Sequence, residues 1–400
     1  MASPGRPRRV LIVVENLPVP FDRRVWQEAT TLRRAGYEVT VICPTGKGFL
    51  QRHEVLDGVH IHRHPLPFEA DSALGYAVEY AVALAWEVWL TLRVAWTRGF
   101  DVLHACNPPD DIFVLGALAK LFGKRFLFDH HDANPELYMA KFGRRGFFYW
   151  VLRLLELMTF RTADAVIATN ESYRRIATTR GGVASGRVHV VRSGPSLERL
   201  RSGPPVERWR NQRRFLVAYV GVMGRQEGIP YLLEAAHHIR IERGRNDTQF
   251  CLVGGGTELE ALQARSLELG LGEVVTFTGR VPDETMLEVL NTADVCVNAD
   301  PLDPMNDIST MNKIMEYMAL GKPIVQFDLT EGRVSAQDAS LYARPNDARD
   351  LGEKILMLLD DQALRARMGA VGRSRIETEL EWRYEAPKLL AAYDSLFARR

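Results

Sequence analysis

The sequence predicts an α/β protein of two domains, each a parallel sheet covered by helices on both faces. Three observations lead there. Short apolar strands alternate with helical stretches through both halves of the chain, as βαβ units require. The strands are nearly continuous apolar runs, the pattern of strands buried on both faces. And 400 residues exceed one compact core while suiting two domains of about 200 each.

In chain order, Arg9–Val14 is the first buried strand. Asp22 is a short polar residue ahead of an amphipathic run, so a helix starts there and runs to about Ala35, where Gly36 ends it. Strands follow at Tyr37–Cys43, Val59–His64, Val102–Ala105, Arg125–Asp129, Ala165–Ala168 and Val188–Val191, with helices between most of them. The most apolar segment, Ala73 to Thr97, is interrupted by Glu79, Glu87 and Arg93, and reads as a buried helix, not a membrane span. Residues 193–214 are rich in Pro, Gly, Ser and Arg without an apolar period, which marks an interdomain linker. A second series then begins, with strands at Phe215–Val220, Phe250–Val253, Val274–Phe277, Val295–Asn298 and Pro323–Phe327. The tail is helical from about Glu377 and carries an apolar face through Leu389, Tyr393 and Leu396. The expected domains are 1–195 and 212–379, with a last helix at about 380–400.

Composition narrows the function. A formal net charge of +1 argues against a general nucleic-acid binder. Cys43, Cys106, Cys251 and Cys296 are widely spaced and form no CxxC pair, so neither zinc nor a disulfide framework is expected, and a reducing cytoplasm fits. The apolar run after the N-terminal arginines is only a strand's length, and no signal peptide is expected.

The chemistry sits in loops that follow strands. Asn306–Val325 reads as loop, helix, stop at Gly321 and buried strand, with Asp307 or Ser309 as the cap. Asn312, Lys313 and Glu316 share one polar side of that helix. A helix N-terminus with a lysine suits a diphosphate, and Glu316 one turn on suits two sugar hydroxyls. An ordinary amphipathic helix with an internal Lys–Glu pair fits the same residues. Gly254-Gly255-Gly256 and Gly221-Val222-Met223-Gly224-Arg225 each follow a strand, so their N–H groups can meet phosphates and Arg225 can clamp one. Tight turns and a solvated arginine are the plain alternative. His130-His131-Asp132 offers poor metal geometry, and the chain has no Asp-x-Asp pair. No metal and no other cofactor are expected.

Together these residues resemble glycosyltransferase family 4, retaining enzymes of the GT-B fold. The resemblance runs through FCLVGGG, VVTFTGRVPDETMLEVLNTADVCV and EYMALGKPIV. FDRRVWQEATTLRRAGYEVTVICP and FDHHDANPELYMAKFG are similar to the bacterial cell-surface polysaccharide branch with N-acetylhexosamine and fucosamine transferases. It implies two Rossmann-like domains facing across a cleft, with the C-terminal helix crossing back to the first. Glu316 matches the second Glu of the family's Glu-x7-Glu motif, which holds the ribose; the first falls on Ile308, so Asn306, Asp307 or Asn312 must substitute. The family's diphosphate Arg and Lys fall on Val222 and Glu227, which leaves Arg225 and Lys313 as replacements by chemistry. The resemblance adds Arg280 and Val281 at the base, Ser309, Thr310 and Asn312 at the donor, and His131 beside the donor sugar. Asn16, Arg23, Arg24 and Asn107 become acceptor-side candidates.

The function implied is transfer of a sugar, an N-acetylhexosamine or relative, from a UDP-sugar to a lipid-linked or glycan acceptor, with retention. A nucleotide-sugar epimerase and a non-catalytic nucleotide-sugar-binding protein are the alternatives. Lys141–Arg153, with three basic residues before four aromatics, is expected to dock at the inner face of the membrane.

Overall fold

The computed structural model describes residues 6–65 and 73–397. Residues 1–5, 66–72 and 398–400, including the two terminal arginines, lie outside the described residues. The chain divides into two units, Met1–Ser193 with Glu385–Arg400, and Gly194–Tyr384.

Unit 1 holds β1 (Arg9–Val14), β2 (Glu38–Pro44), β3 (His53–Leu56), β4 (Val59–His64), β5 (Val102–Cys106), β6 (Arg125–His130), β7 (Ala165–Ala168) and β8 (Val188–Val190). Its helices are α1 (Arg23–Arg34), α2 (Ala73–Thr97), α3 (Phe113–Leu121), α4 (Asn134–Phe142), α5 (Phe147–Thr162) and α6 (Glu171–Arg175). Asp22 caps α1, its carboxylate accepting from the Val25 N–H at 3.1 Å. The sheet order is β3-β4-β2-β1-β5-β6-β7-β8, parallel except for the β3–β4 hairpin. From β1 to β2 the chain steps one way along the sheet; from β4 to β5, β6 and β7 it steps the other way. With right-handed crossovers, α2, α3 and α5 therefore cover one face and α1 the opposite one.

Unit 2 holds β9 (Phe215–Val220), β10 (Thr248–Val253), β11 (Val275–Gly279), β12 (Val295–Asn298), β13 (Ile324–Phe327) and β14 (Ser340–Ala343). Its helices are α7 (Ile229–His237), α8 (Leu259–Glu268), α9 (Asp283–Thr292), α10 (Asn312–Ala319), α11 (Thr330–Ala336), α12 (Ala348–Asp360) and α13 (Gln362–Arg375). The last helix, α14 (Trp382–Ser395), belongs to unit 1 from Glu385 onward. All pairings are parallel, in the order β11-β10-β9-β12-β13-β14. Alternation along β9 builds two cores: Phe215, Val217 and Tyr219 join the α7–α12 side, while Leu216 and Ala218 join the α9–α10 side.

Residues 194–214 are more than a connector. Leu200 is fully buried in the α9–α10 core, and Arg210 pairs with Asp294 at 2.5 Å. Among the described residues no helix is long and apolar enough to cross a membrane.

Candidate active site

In unit 2 the sheet order reverses between β9 and β12, so the helices after them lie on opposite faces and leave a crevice at the strands' carboxyl ends. Tyr317 of α10 ties the two strands below it. Its hydroxyl accepts from the Val220 N–H at 2.9 Å and donates to the Val297 carbonyl at 3.2 Å.

Three loops are joined by their backbones at this edge. The N–H groups of Gly221, Met223 and Gly254 donate to the carbonyls of Val253, Gly255 and Gly279, each at 3.0 Å. Gly254 has φ +140°, and a Cβ there would fall 1.7 Å from the Gly221 carbonyl oxygen. Loop packing therefore demands this glycine. Gly255 differs: a Cβ would meet Arg280 only at 3.7 Å or more, so the fold does not require its smallness. Gly224 lies in the same turn, ahead of Arg225. Arg225 is exposed and makes no hydrogen bond or ion pair among the described residues, which leaves its guanidinium available. Arg280 is exposed after β11, and Val281 packs on the α9–α10 core.

The helix expected to begin at Asp307 or Ser309 starts at Asn312 instead, and no side chain caps it. The reason is local: Asn306–Ile308 forms a separate turn. Asp307 accepts from the backbone and hydroxyl of Thr330 at 2.8 and 3.1 Å, and the Ser309 hydroxyl donates to Met305 at 2.8 Å. Thr310 is half-buried just before the helix. Of the residues expected to replace the missing Glu, Asn306 spends its amide on the Gln226 and Pro301 carbonyls at 3.0 and 3.1 Å. Asn312 is exposed in the first turn of α10.

Lys313 does not share the polar side of Asn312. It is buried, and its ammonium donates to Glu227 at 2.7 Å and Asp300 at 3.1 Å, above the Tyr219 ring. Burial pulls its pKa down, but Asp300, Tyr219 and Glu227 more than offset that, so it stays charged. Burial pushes Asp300 up to about 7, with Lys313 opposing and Glu227 adding. One cation already faces two carboxylates, so Lys313 fastens the 225–228 turn to α10 and has little charge left for a diphosphate. Glu316 is bound by Arg199, which also donates to Asp283 at 3.1 Å. Arg199, Asp300 and Tyr219 join the site without a motif of their own; Arg199 is one of several arginines in the 193–214 stretch.

Unit 1 holds a second polar centre. Arg24, expected to meet an acceptor, is instead buried: its guanidinium donates to Asp129 at 3.0 Å and to the Val191 carbonyl at 3.0 Å. Asn107 is likewise spent, its carbonyl accepting from the His131 N–H at 2.7 Å and its amide donating to Asp110 at 2.8 Å. Asn16 and Arg23 are exposed. The adjacent histidines are separated by strand alternation. His130 is buried against Phe128, Phe160 and Tyr173, and burial lowers its pKa to about 3. His131 Nε2 lies 2.6 Å from the Asp129 carboxylate and 2.9 Å from the Arg24 Nε–H, so both residues hold the ring, and Nδ1 has no partner in this network.

Burial would raise Asp129, but Arg24 and His131 reverse that and hold it well below the usual carboxylate range. Glu28, 3.1 Å from Arg24, is pushed up by burial and by Asp129, with Arg24 opposing. Glu28, Cys106, Asp129 and His131 cluster closely enough for a metal ion. Arg24 already supplies the cation there, and burial keeps the Cys106 thiol protonated, so the donor set does not suit one.

Two family models match, Glycosyltransferase Family 4 over residues 22–199 and Glycosyl transferases group 1 over residues 214–361. The chain is a family 4 glycosyltransferase. The transferase is 27% identical to the α-maltose-1-phosphate synthase of Mycolicibacterium smegmatis over 311 residues, 71% of this chain and 76% of that one. In fold it is similar to a sucrose-phosphate synthase from Thermosynechococcus elongatus (TM-score 0.76, 19% identity, 98% of this chain and 99% of that one). It is also similar to Anabaena HepE in complex with UDP (TM-score 0.73, 15% identity, 97% and 100%). These likenesses make the transferase a GT-B enzyme of two Rossmann-like domains.

Proposed function

We propose that this glycosyltransferase moves an N-acetylhexosamine or related sugar from a UDP donor to a lipid-linked or glycan acceptor in cell-surface polysaccharide synthesis, retaining the anomeric configuration. One observation carries the donor assignment: an unpartnered Arg225 stands on the edge where Gly255 leaves room and α10 begins without a side-chain cap. Backbone N–H groups at a helix start and an arginine together suit a diphosphate. UDP, bound in the Anabaena relative, is the nucleotide assigned.

In this reading the diphosphate departs first, its charge met by Arg225 and the first turn of α10. The acceptor hydroxyl enters on the same face and loses its proton to the departing phosphate oxygen. Glu316 exchanges Arg199 for the ribose hydroxyls, Asn312 takes over sugar contacts from the missing Glu, and His131, fixed by Asp129, serves the transferred sugar. No enzymic nucleophile is required. A lipid-linked acceptor brings peripheral contact with the inner face of the membrane, for which Lys141–Arg153 was expected to serve.

The test is UDP release from a panel of UDP-sugars with and without lipid-linked acceptor, with the product's anomeric configuration read by NMR. Acceptor-dependent release and an α-product from an α-donor are expected. Release that ignores the acceptor, an inverted product, or turnover only with another nucleotide would overturn the reading.

A further inference from the structure

Unit 1 carries an apolar surface that the proposed chemistry does not use. α2, α3 and α5 lie side by side on one face of its sheet, α2 packing on α3 and α3 on α5. Helices that cover a sheet normally turn a polar face outward. These do not. α2 exposes Trp89, Leu92 and Trp96 along one line, Trp96 at 92%. α5 exposes Phe147, Trp150 and Leu154 with the same spacing, and α3, between them, ends in exposed Leu121 and Phe122. Among the described residues, 13 of 21 exposed large apolar side chains lie between Val78 and Met158, against six in unit 2. That is concentration, not the normal scatter of single residues.

Charge identifies the occupant. Exposed basic residues run through the same span, from Arg93 through Lys120, Arg144 and Arg145 to Arg161, while no acidic residue described between 81 and 162 is exposed. A second copy of the chain would set one positive rim against another. An anionic bilayer matches both features, with tryptophans at headgroup depth and cations at the lipid phosphates.

We propose that the outer faces of α2, α3 and α5 form one docking surface that rests on a bilayer containing anionic lipid. This goes beyond the 141–153 segment, four of whose five aromatics are exposed while Tyr149 is buried. It is independent of the donor and acceptor assignments.

Co-sedimentation with vesicles of phosphatidylcholine plus phosphatidylglycerol, against phosphatidylcholine alone, tests it. The wild type should bind the anionic vesicles preferentially. Each basic group near such a surface is worth about fivefold, so Arg144→Glu with Arg145→Glu should weaken binding about 25-fold or more. Trp96→Ser, on a different helix, should weaken it with no change in melting temperature, since the side chain is exposed. Three results overturn the proposal: no preference for anionic vesicles, a Trp96→Ser variant that binds like wild type, or a wild-type dimer that Trp96→Ser dissolves. The last would assign the face to a second copy.

Discussion

Replacing Asp129 by Asn probes the centre of unit 1. The carboxylate accepts from Arg24 at 3.0 and 3.3 Å and from His131 at 2.6 Å, with His104 at 3.4 Å. An amide has one acceptor oxygen, so its NH2 must face a donor, and the buried Arg24 keeps only Glu28, at 3.1 Å, as a counter-ion. Removing one partner of a buried ion pair costs about 3–5 kcal/mol. For a unit of about 200 residues, at about 2–4 °C per kcal/mol, the melting temperature should fall by about 6–20 °C. Scanning calorimetry reads this directly. Arg24→Met with Asp129→Leu removes both charges and should recover most of the loss. Because the folded pKa of Asp129 is depressed, its stabilisation is present above the ordinary range near about 4 and lost as pH falls through the folded value. His131 also loses one of the two groups that hold its ring, Arg24 being the other, so turnover per folded molecule should fall while UDP affinity, assigned to unit 2, holds. A melting temperature within about 2 °C of wild type, far below the buried-pair cost, would refute the reasoning.

Other outcomes follow from the donor side. Arg225→Ala should weaken UDP binding by calorimetry about tenfold to a hundredfold, the worth of one charge-assisted hydrogen bond, without changing melting, since Arg225 is exposed and unpartnered. Glu316→Ala should weaken UDP binding to a similar degree, and unchanged affinity would remove Glu316 from the ribose. Activity should survive EDTA, because helix N–H groups and arginine are assigned to the leaving group; loss restored by magnesium or manganese would contradict this. Asp300, raised to about 7 in the fold, favours folding fully below about 4 and loses that contribution as pH rises to 7. The melting difference between Asp300→Asn and wild type should therefore move in the variant's favour between those values.

Much of the fold was legible because each buried strand announces itself locally. Arg9–Val14 and Phe215–Val220 are apolar on both faces, and no other element tolerates that composition at that length. The two strands missed show the limit. β3 lies at the sheet edge with no buried residue, and β14 buries only its small end residues, Ser340 and Ala343, so neither has an apolar run to detect. The 193–214 stretch misled for the opposite reason. Its composition is that of a linker, but Leu200 anchors it in a core with Leu197 and Trp209 packed alongside, and three scattered apolar residues leave no period.

The site divides along the same line. Glycine loops and the α10 stretch were visible because each is a local signal of backbone requirement. The state of the charges was not, because each is settled by a residue far along the chain. Lys313 meets Glu227 across 86 positions, Arg24 meets Asp129 across 105, and Arg199 meets Glu316 across 117. A sequence shows that a lysine is present; only the fold shows that its charge is already taken. Lys313 and Glu227 make the point most directly. The family's diphosphate lysine position holds Glu227, and the nearest lysine on α10 turns toward that glutamate instead of replacing the missing cation. With Lys313 neutralised and Val222 in the arginine's place, Arg225 is the cation we propose to meet the diphosphate on this edge, so its removal should cost more than that of any other basic side chain there.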